Sequence, residues 1–206
     1  MKKIFAFALL LVFFSSFKPQ QGGMFARWDK KDLERANTGK DMDFLSEEEK
    51  NVIFFTNLVR INPELFSETV LDHFMDSTGY KNSVYVVSLK KVLASTKPGQ
   101  PLAVQKDLFE IAKAHAENMG KTGKKGHEDF EKRYKPVLKT YNKLVGENCS
   151  YGFDKGLRIV LQLLIDEGVG DSGHRKNILD PNFKNVGASI KPHRQYTWNC
   201  VMAFGG

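Results

Sequence analysis

The sequence predicts an α+β protein in which helices flank a central antiparallel sheet. Three observations carry that reading. Apolar residues recur at helical spacing in several stretches, a serine–glutamate capping signal opens one of them, and the strand-like runs gather late, near residues 144–149 and over 185–204.

Taken in order, the elements begin with a leader. Met1, Lys2 and Lys3 precede an unbroken apolar run at residues 4–14, and Ser15 and Ser16 return the chain to polar composition. That layout is a secretory signal, so residues 1–17 are expected to be a signal peptide and the protein extracellular or periplasmic. Left uncleaved, the run would act as an amino-terminal anchor. It is shorter than the ~20 apolar residues of a spanning helix, and no second such run follows, so no transmembrane domain is expected. Residues 18–45 are polar, with Gly22 and Gly23, and read as a linker or amino-terminal arm. The remainder, 46–206, suits one domain with its own core.

Within the domain, Ser46 and Glu49 make a capping box at the start of a helix over 46–60, with Val52, Phe55, Leu58 and Val59 on one stripe. Asn62 and Pro63 break it, and a short helix follows over 64–74. The mostly β-branched residues 84–87 predict an edge strand, and 96–101 (TKPGQP) a loop. A helix over 104–120 places Leu108, Ile111, Ala112, His115 and Met119 on one inward stripe. Asp154 is expected to cap a helix bearing Leu157, Val160, Leu161 and Leu164 that stops near Gly168. Strands are predicted at 144–149, 185–191 and 196–204.

The formal charge of +7 falls to about +4 without Lys2, Lys3 and Lys18. That is too mild a bias to imply nucleic acid. The densest basic stretch, from Lys121 to Lys143, is broken by Glu128, Asp129 and Glu131. It reads as a solvated face, or as a weak dock for acidic glycans or an envelope surface. The two cysteines, Cys149 and Cys200, are expected to pair in an oxidising compartment. Closing a loop of about 50 residues would stabilise by about 4 kcal/mol. The alternative is a reactive Cys149.

Candidate chemistry centres on histidines and acids. His127 follows Gly126, His174 follows Gly173, and Glu147 sits in Gly146-Glu147-Asn148 after an apolar pair. Glu167 falls three after Leu164 and seven after Val160, so an extended helix would put it on the inner face at the negative dipole end, where it needs a compensating donor. His174, near a helical start at Ser172, is biased toward neutral imidazole, which binds metal or accepts a proton. The same four residues also suit a purely structural hydrogen-bond network. Gly170-Asp171-Ser172-Gly173 copies a serine-protease segment without its fold, and His127-Glu128 has Glu131 where a zinc-protease helix needs histidine.

The ordered set of Asn57 and Arg60, His115 to Met119, Gly126-His127, Gly146-Glu147-Asn148, Gly173-His174-Arg175-Lys176-Asn177 and Asn185 to Ala188 resembles the CAP superfamily of cysteine-rich secretory, antigen 5 and pathogenesis-related proteins, in its bacterial branch. The resemblance covers about 46–206, with a long insertion near 62–100. It implies a three-layer α-β-α sandwich with an open cleft carrying a tetrad of His127, Glu147, Glu167 and His174, with Asp166 as the substitute for Glu167. It further implies zinc or another divalent metal on His127, His174 and Glu147, with His115, Asp166 and Asn148 in support. A module binding a small apolar or glycan ligand, a metal-assisted hydrolase, and an envelope interaction protein are the functions it leaves open.

Overall fold

The computed structural model describes residues 23–80 and 82–206; the expected leader, 1–17, lies outside them. A four-stranded sheet is ordered β1 (Ala103–Val104), β3 (Asn185–His193), β4 (Thr197–Gly205), β2 (Val145–Tyr151). The last three are antiparallel as expected; the two-residue β1 adds a parallel edge to β3. Along β4, Cys200, Met202 and Phe204 enter one core, while Val201 and Ala203 enter another. Period-two alternation with apolar residues on both sides means that both faces of the sheet are covered.

Helix α6 (Lys106–Thr122) covers one face, contributing Leu108, Ala112, Ala116 and Met119. Its backbone lies so close to β3 that a Cβ on Gly187 would sit 2.1 Å from the Phe109 nitrogen. The other face is covered by α2 (Glu47–Ile61) and α8 (Gly156–Ile165). The molecule is therefore the expected three-layer sandwich. Among the described residues, no helix is long and apolar enough to cross a membrane.

The expected capping box at Ser46 and Glu49 is present. Glu49 also accepts from Ser189 Oγ (2.9 Å) and from the Ile190 amide (2.8 Å), so the cap ties α2 to β3. Two resemblance residues prove to be braces. Buried Asn57 bonds the carbonyls of Ala36 and Leu102 and accepts the Leu102 amide at 2.7 Å. Arg60 donates to the carbonyls of Gln100, Ile178, Asp180 and Phe183. Burial among neutral acceptors lowers its pKa to about 10.

Five expectations need correction. Residues 24–45 are no loose linker: α1 (Lys30–Ala36) starts at the Asp29 cap, Trp28, Ala36 and Leu45 are buried, and Trp28 Nε1 donates to Thr69 Oγ1 at 2.9 Å. The predicted edge strand at 84–87 is the first turn of α5 (Val84–Ser95), capped by Ser83. Buried Val86, Leu89 and Leu93 keep helical spacing, and that longer period overrides the β-branched start. The short helix over 64–74 is longer: α3 (Pro63–Phe66), a π-helical turn (Ser67–Leu71) and α4 (Asp72–Thr78) run on without a break. Helix α8 is capped by Glu48, whose carboxylate accepts the Gly156 amide at 2.8 Å, rather than by Asp154, and it ends at Ile165 instead of near Gly168.

The fifth correction concerns the disulfide. Cys149 pairs in register with Val201, and Cys200 with Ser150. One residue of offset turns the two side chains to opposite faces of the pleat. Cys149 packs in the α6 core and Cys200 in the α2–α8 core, both as buried free thiols.

Candidate functional site

Strand β2 alternates across the sheet, so Glu147 and Cys149 point to the α6 side while Asn148 points to the other. Asn148 donates to the His174 carbonyl at 3.0 Å and accepts from Asn177 at 2.8 Å, which docks α9 (Gly173–Leu179) on the strand.

The loop after α6 is pinned on both sides of one glycine. The Gly126 amide donates to Tyr151 Oη at 2.8 Å, and the Gly126 carbonyl accepts from His115 Nε2 at 2.8 Å. Gly126 has φ +95°, which a side-chain-bearing residue rarely adopts. The next residue, His127, is thereby aimed at β2, and its Nδ1 donates to Glu147 Oε1 at 2.9 Å.

Glu147 is also clamped by a residue that the sequence reading placed on a solvated face. Arg133, on α7 (Phe130–Tyr134), binds it with both terminal nitrogens, at 2.5 Å to Oε2 and 2.8 Å to Oε1. Tyr134 Oη adds a longer bond at 3.3 Å. Burial alone would raise the Glu147 carboxyl, whose side chain is 1% exposed; the bonds from His127 and Arg133 outweigh it and hold the group below the usual carboxylate range. Alternating charge after His127 hid the clamp in sequence, because a bidentate pair 14 residues apart leaves no periodic trace.

The second imidazole is backed by Asp166 rather than Glu167. Because α8 ends at Ile165, Asp166 takes the left-handed cap position (φ +57°), which turns its side chain toward α9. Its Oδ1 accepts from His174 Nδ1 at 2.6 Å, and its Oδ2 accepts the amides of His174 (3.1 Å) and Arg175 (3.3 Å). Glu167 is exposed and accepts from Tyr80 Oη at 2.9 Å. The extra turn of helix expected in sequence is what put Glu167 on the inner stripe.

His127 and His174 line one open cavity of about 640 Å³. Phe74, Tyr80, Tyr151, Phe153, Leu161 and Ile165 supply much of its wall. Each imidazole is bonded through Nδ1 to a carboxylate, so Nε2 is the nitrogen each has left to offer a ligand.

His115 lies behind His127, 2% exposed. Burial lowers its pKa, against the raising influence of the Gly126 carbonyl and Glu147, so its neutral form prevails. Among the described residues, the His/Cys/Asp/Glu group whose ligand atoms lie within 4.8 Å of one another is His115, Glu147 and Cys149.

The profile of the cysteine-rich secretory protein (CAP) family matches residues 55–204. The chain belongs to that family. No curated protein sequence matches this CAP chain significantly. Solved structures that resemble it include the following three. An outer surface protein of Borrelia burgdorferi has 19% identity and a TM-score of 0.42 over 59% of this chain and 88% of its own. An extracellular protein containing an SCP domain from Bacillus anthracis has 16% identity and a TM-score of 0.46 over 77% and 41%. A cysteine-rich secretory protein from Staphylococcus aureus has 19% identity and a TM-score of 0.37 over 62% and 40%. This CAP chain therefore spans about two-fifths of the length of the latter two.

Proposed function

We propose that this CAP domain is an exported binding module whose cavity takes a small, largely apolar ligand and fixes its polar end on His127 and His174. The observation that supports this reading is the joining of two carboxylate-backed imidazoles to an aromatic and aliphatic wall in one cavity of about 640 Å³. Apolar walls supply affinity, and a few convergent polar groups supply orientation. The basic start and apolar run of residues 1–17 support export. The two Nε2 atoms would also be the nitrogen ligands of a zinc held in the cavity, with Glu147 and Asp166 behind them orienting the rings.

The hydrolase reading is weaker because of Glu147. A general base needs a free lone pair and a pKa near the working pH. Glu147 has both oxygens engaged by Arg133, and its carboxyl is held low.

The test uses the amphiphilic aromatic sulfonate dye bis-ANS as probe, with imidazole resonances followed by NMR. The expected result is one site per chain, joint shifts of the His127 and His174 signals, and loss of binding in Val169→Glu, which puts a charge at the half-buried cavity wall. Binding that leaves both imidazoles unmoved and survives Val169→Glu would remove the cavity as the ligand site.

A further inference from the structure

We infer that His115, Glu147 and Cys149 form a buried thiolate-containing site for a divalent, thiophilic cation of the zinc class, separate from the cavity-facing Nε2 atoms of His127 and His174. The three ligand atoms lie within 4.8 Å of one another, with His115 Nε2 to Glu147 Oε1 at 3.7 Å and Cys149 Sγ to Glu147 Oε1 at 3.9 Å. A tetrahedral ion with bonds of about 2.0–2.1 Å to N or O and about 2.3 Å to S needs ligand–ligand edges of about 3.3–3.6 Å. Two edges are therefore a few tenths of an ångström too wide, the third, from His115 Nε2 to Cys149 Sγ, lies within 4.8 Å, and the cage closes by side-chain adjustment. One more ligand atom stands at similar range: the Gly126 carbonyl, 2.8 Å from His115 Nε2 and 3.6 Å from Sγ.

Nitrogen, carboxylate oxygen and thiolate sulfur together are a zinc-type donor set, and the sulfur disfavours magnesium and calcium. All three side chains are almost wholly buried. An entry path exists because Cys149 also lines the open cavity. Arg133 keeps its bond to Oε2, while its second bond and the one from His127, both on Oε1, are given up as that oxygen turns to the ion.

Loading is an exchange that balances. The Cys149 S–H bond breaks, a metal–sulfur bond forms, and the proton leaves to solvent. His115 moves its proton from Nε2 to Nδ1 and gives the freed lone pair to the ion. The thiolate then offsets one charge of the cation and the carboxylate is shared between the cation and Arg133, so Cys149 is held as thiolate only when metal is present.

The experiment titrates the purified protein with Co²⁺ and then Zn²⁺ under reducing conditions. The expected result is one Co²⁺ per chain, with visible bands of tetrahedral cobalt and a near-ultraviolet thiolate-to-cobalt band, both bleached by Zn²⁺. Cys149→Ser should abolish the near-ultraviolet band and weaken binding at least tenfold, while Cys200→Ser should change neither. The wild-type spectrum decides the matter even if a variant misfolds. Absence of a thiolate band in wild type, including cobalt held by the cavity histidines alone, overturns the inference. So does unchanged affinity in a folded Cys149→Ser.

Discussion

Replacing Arg133 by alanine removes two charge-assisted hydrogen bonds from a carboxylate whose side chain is 1% exposed. What stays on Glu147 is the His127 bond, the long Tyr134 bond and the weak Cys149 thiol contact. Stripping a fully buried ion pair of one partner costs about 3–5 kcal/mol, most of it the desolvation of the charge left behind. Arg133 itself is 16% exposed, so water can reach part of the vacated space, and we take a lower value of about 2–3 kcal/mol. For a domain of this size that corresponds to a fall in Tm of roughly 5–10 °C. Without Arg133, the raising influence of burial on Glu147 gains ground. The deficit should therefore shrink in acid, where Glu147 is protonated in both proteins. Adding Glu147→Gln to Arg133→Ala should restore much of the loss by removing the stranded charge. Urea unfolding of wild type, Arg133→Ala and the double variant at neutral and acid pH measures all of this. A deficit below about 0.5 kcal/mol, or a double variant no better than Arg133→Ala, would refute the clamp as the reason Glu147 stays ionised.

Three further outcomes follow from the same geometry. Stability should be nearly flat from about pH 6.5 to 8.5. Below that window the unfolded chain protonates His115 while the fold resists, and still lower the depressed Glu147 carboxyl is protonated; above it the unfolded chain ionises Cys149, which burial holds as a thiol. Unfolding followed across pH checks both edges, and stability that rises below pH 6 would contradict the His115 assignment. Asp166→Asn should lower stability by about 1–3 kcal/mol and free the His174 ring, whereas Glu167→Gln should stay within about 0.5 kcal/mol; calorimetry with histidine NMR separates them, and equal effects would undo the pairing of Asp166 with His174. Gly187→Ala should cost about 3 kcal/mol or prevent folding, because its Cβ meets helix backbone, while Gly170→Ala, with nothing within 4 Å, should be neutral; comparable melting of the two would show α6 free to shift.

Much of this fold is legible residue by residue. The Ser46–Glu49 cap, the inward stripe of Leu108, Ala112, His115 and Met119, and the apolar alternation of β4 are local patterns, and the structure contains each. Segment 84–87 misleads because four β-branched or aromatic residues satisfy strand propensity before the longer 86–89–93 period is visible. The arm at 24–45 misleads because its few apolar residues, Trp28 and Leu45 among them, are buried by α2 and its neighbours rather than by each other. At the candidate site, His127, Glu147 and His174 were nameable from their motifs, whereas Arg133 looked like any surface cation.

The sequence by itself determined what short-range physics controls: the caps, the helical and strand periods, the leader-like start, and the motif order that marks the CAP family. The tertiary structure decided what depends on a single residue of register or helix length. One position of offset between β2 and β4 sends Cys149 and Cys200 to opposite cores, and the end of α8 at Ile165 hands His174 to Asp166. Neither choice has a local signal, because side-chain direction in a strand or at a helix end is set by the partner against which the backbone packs.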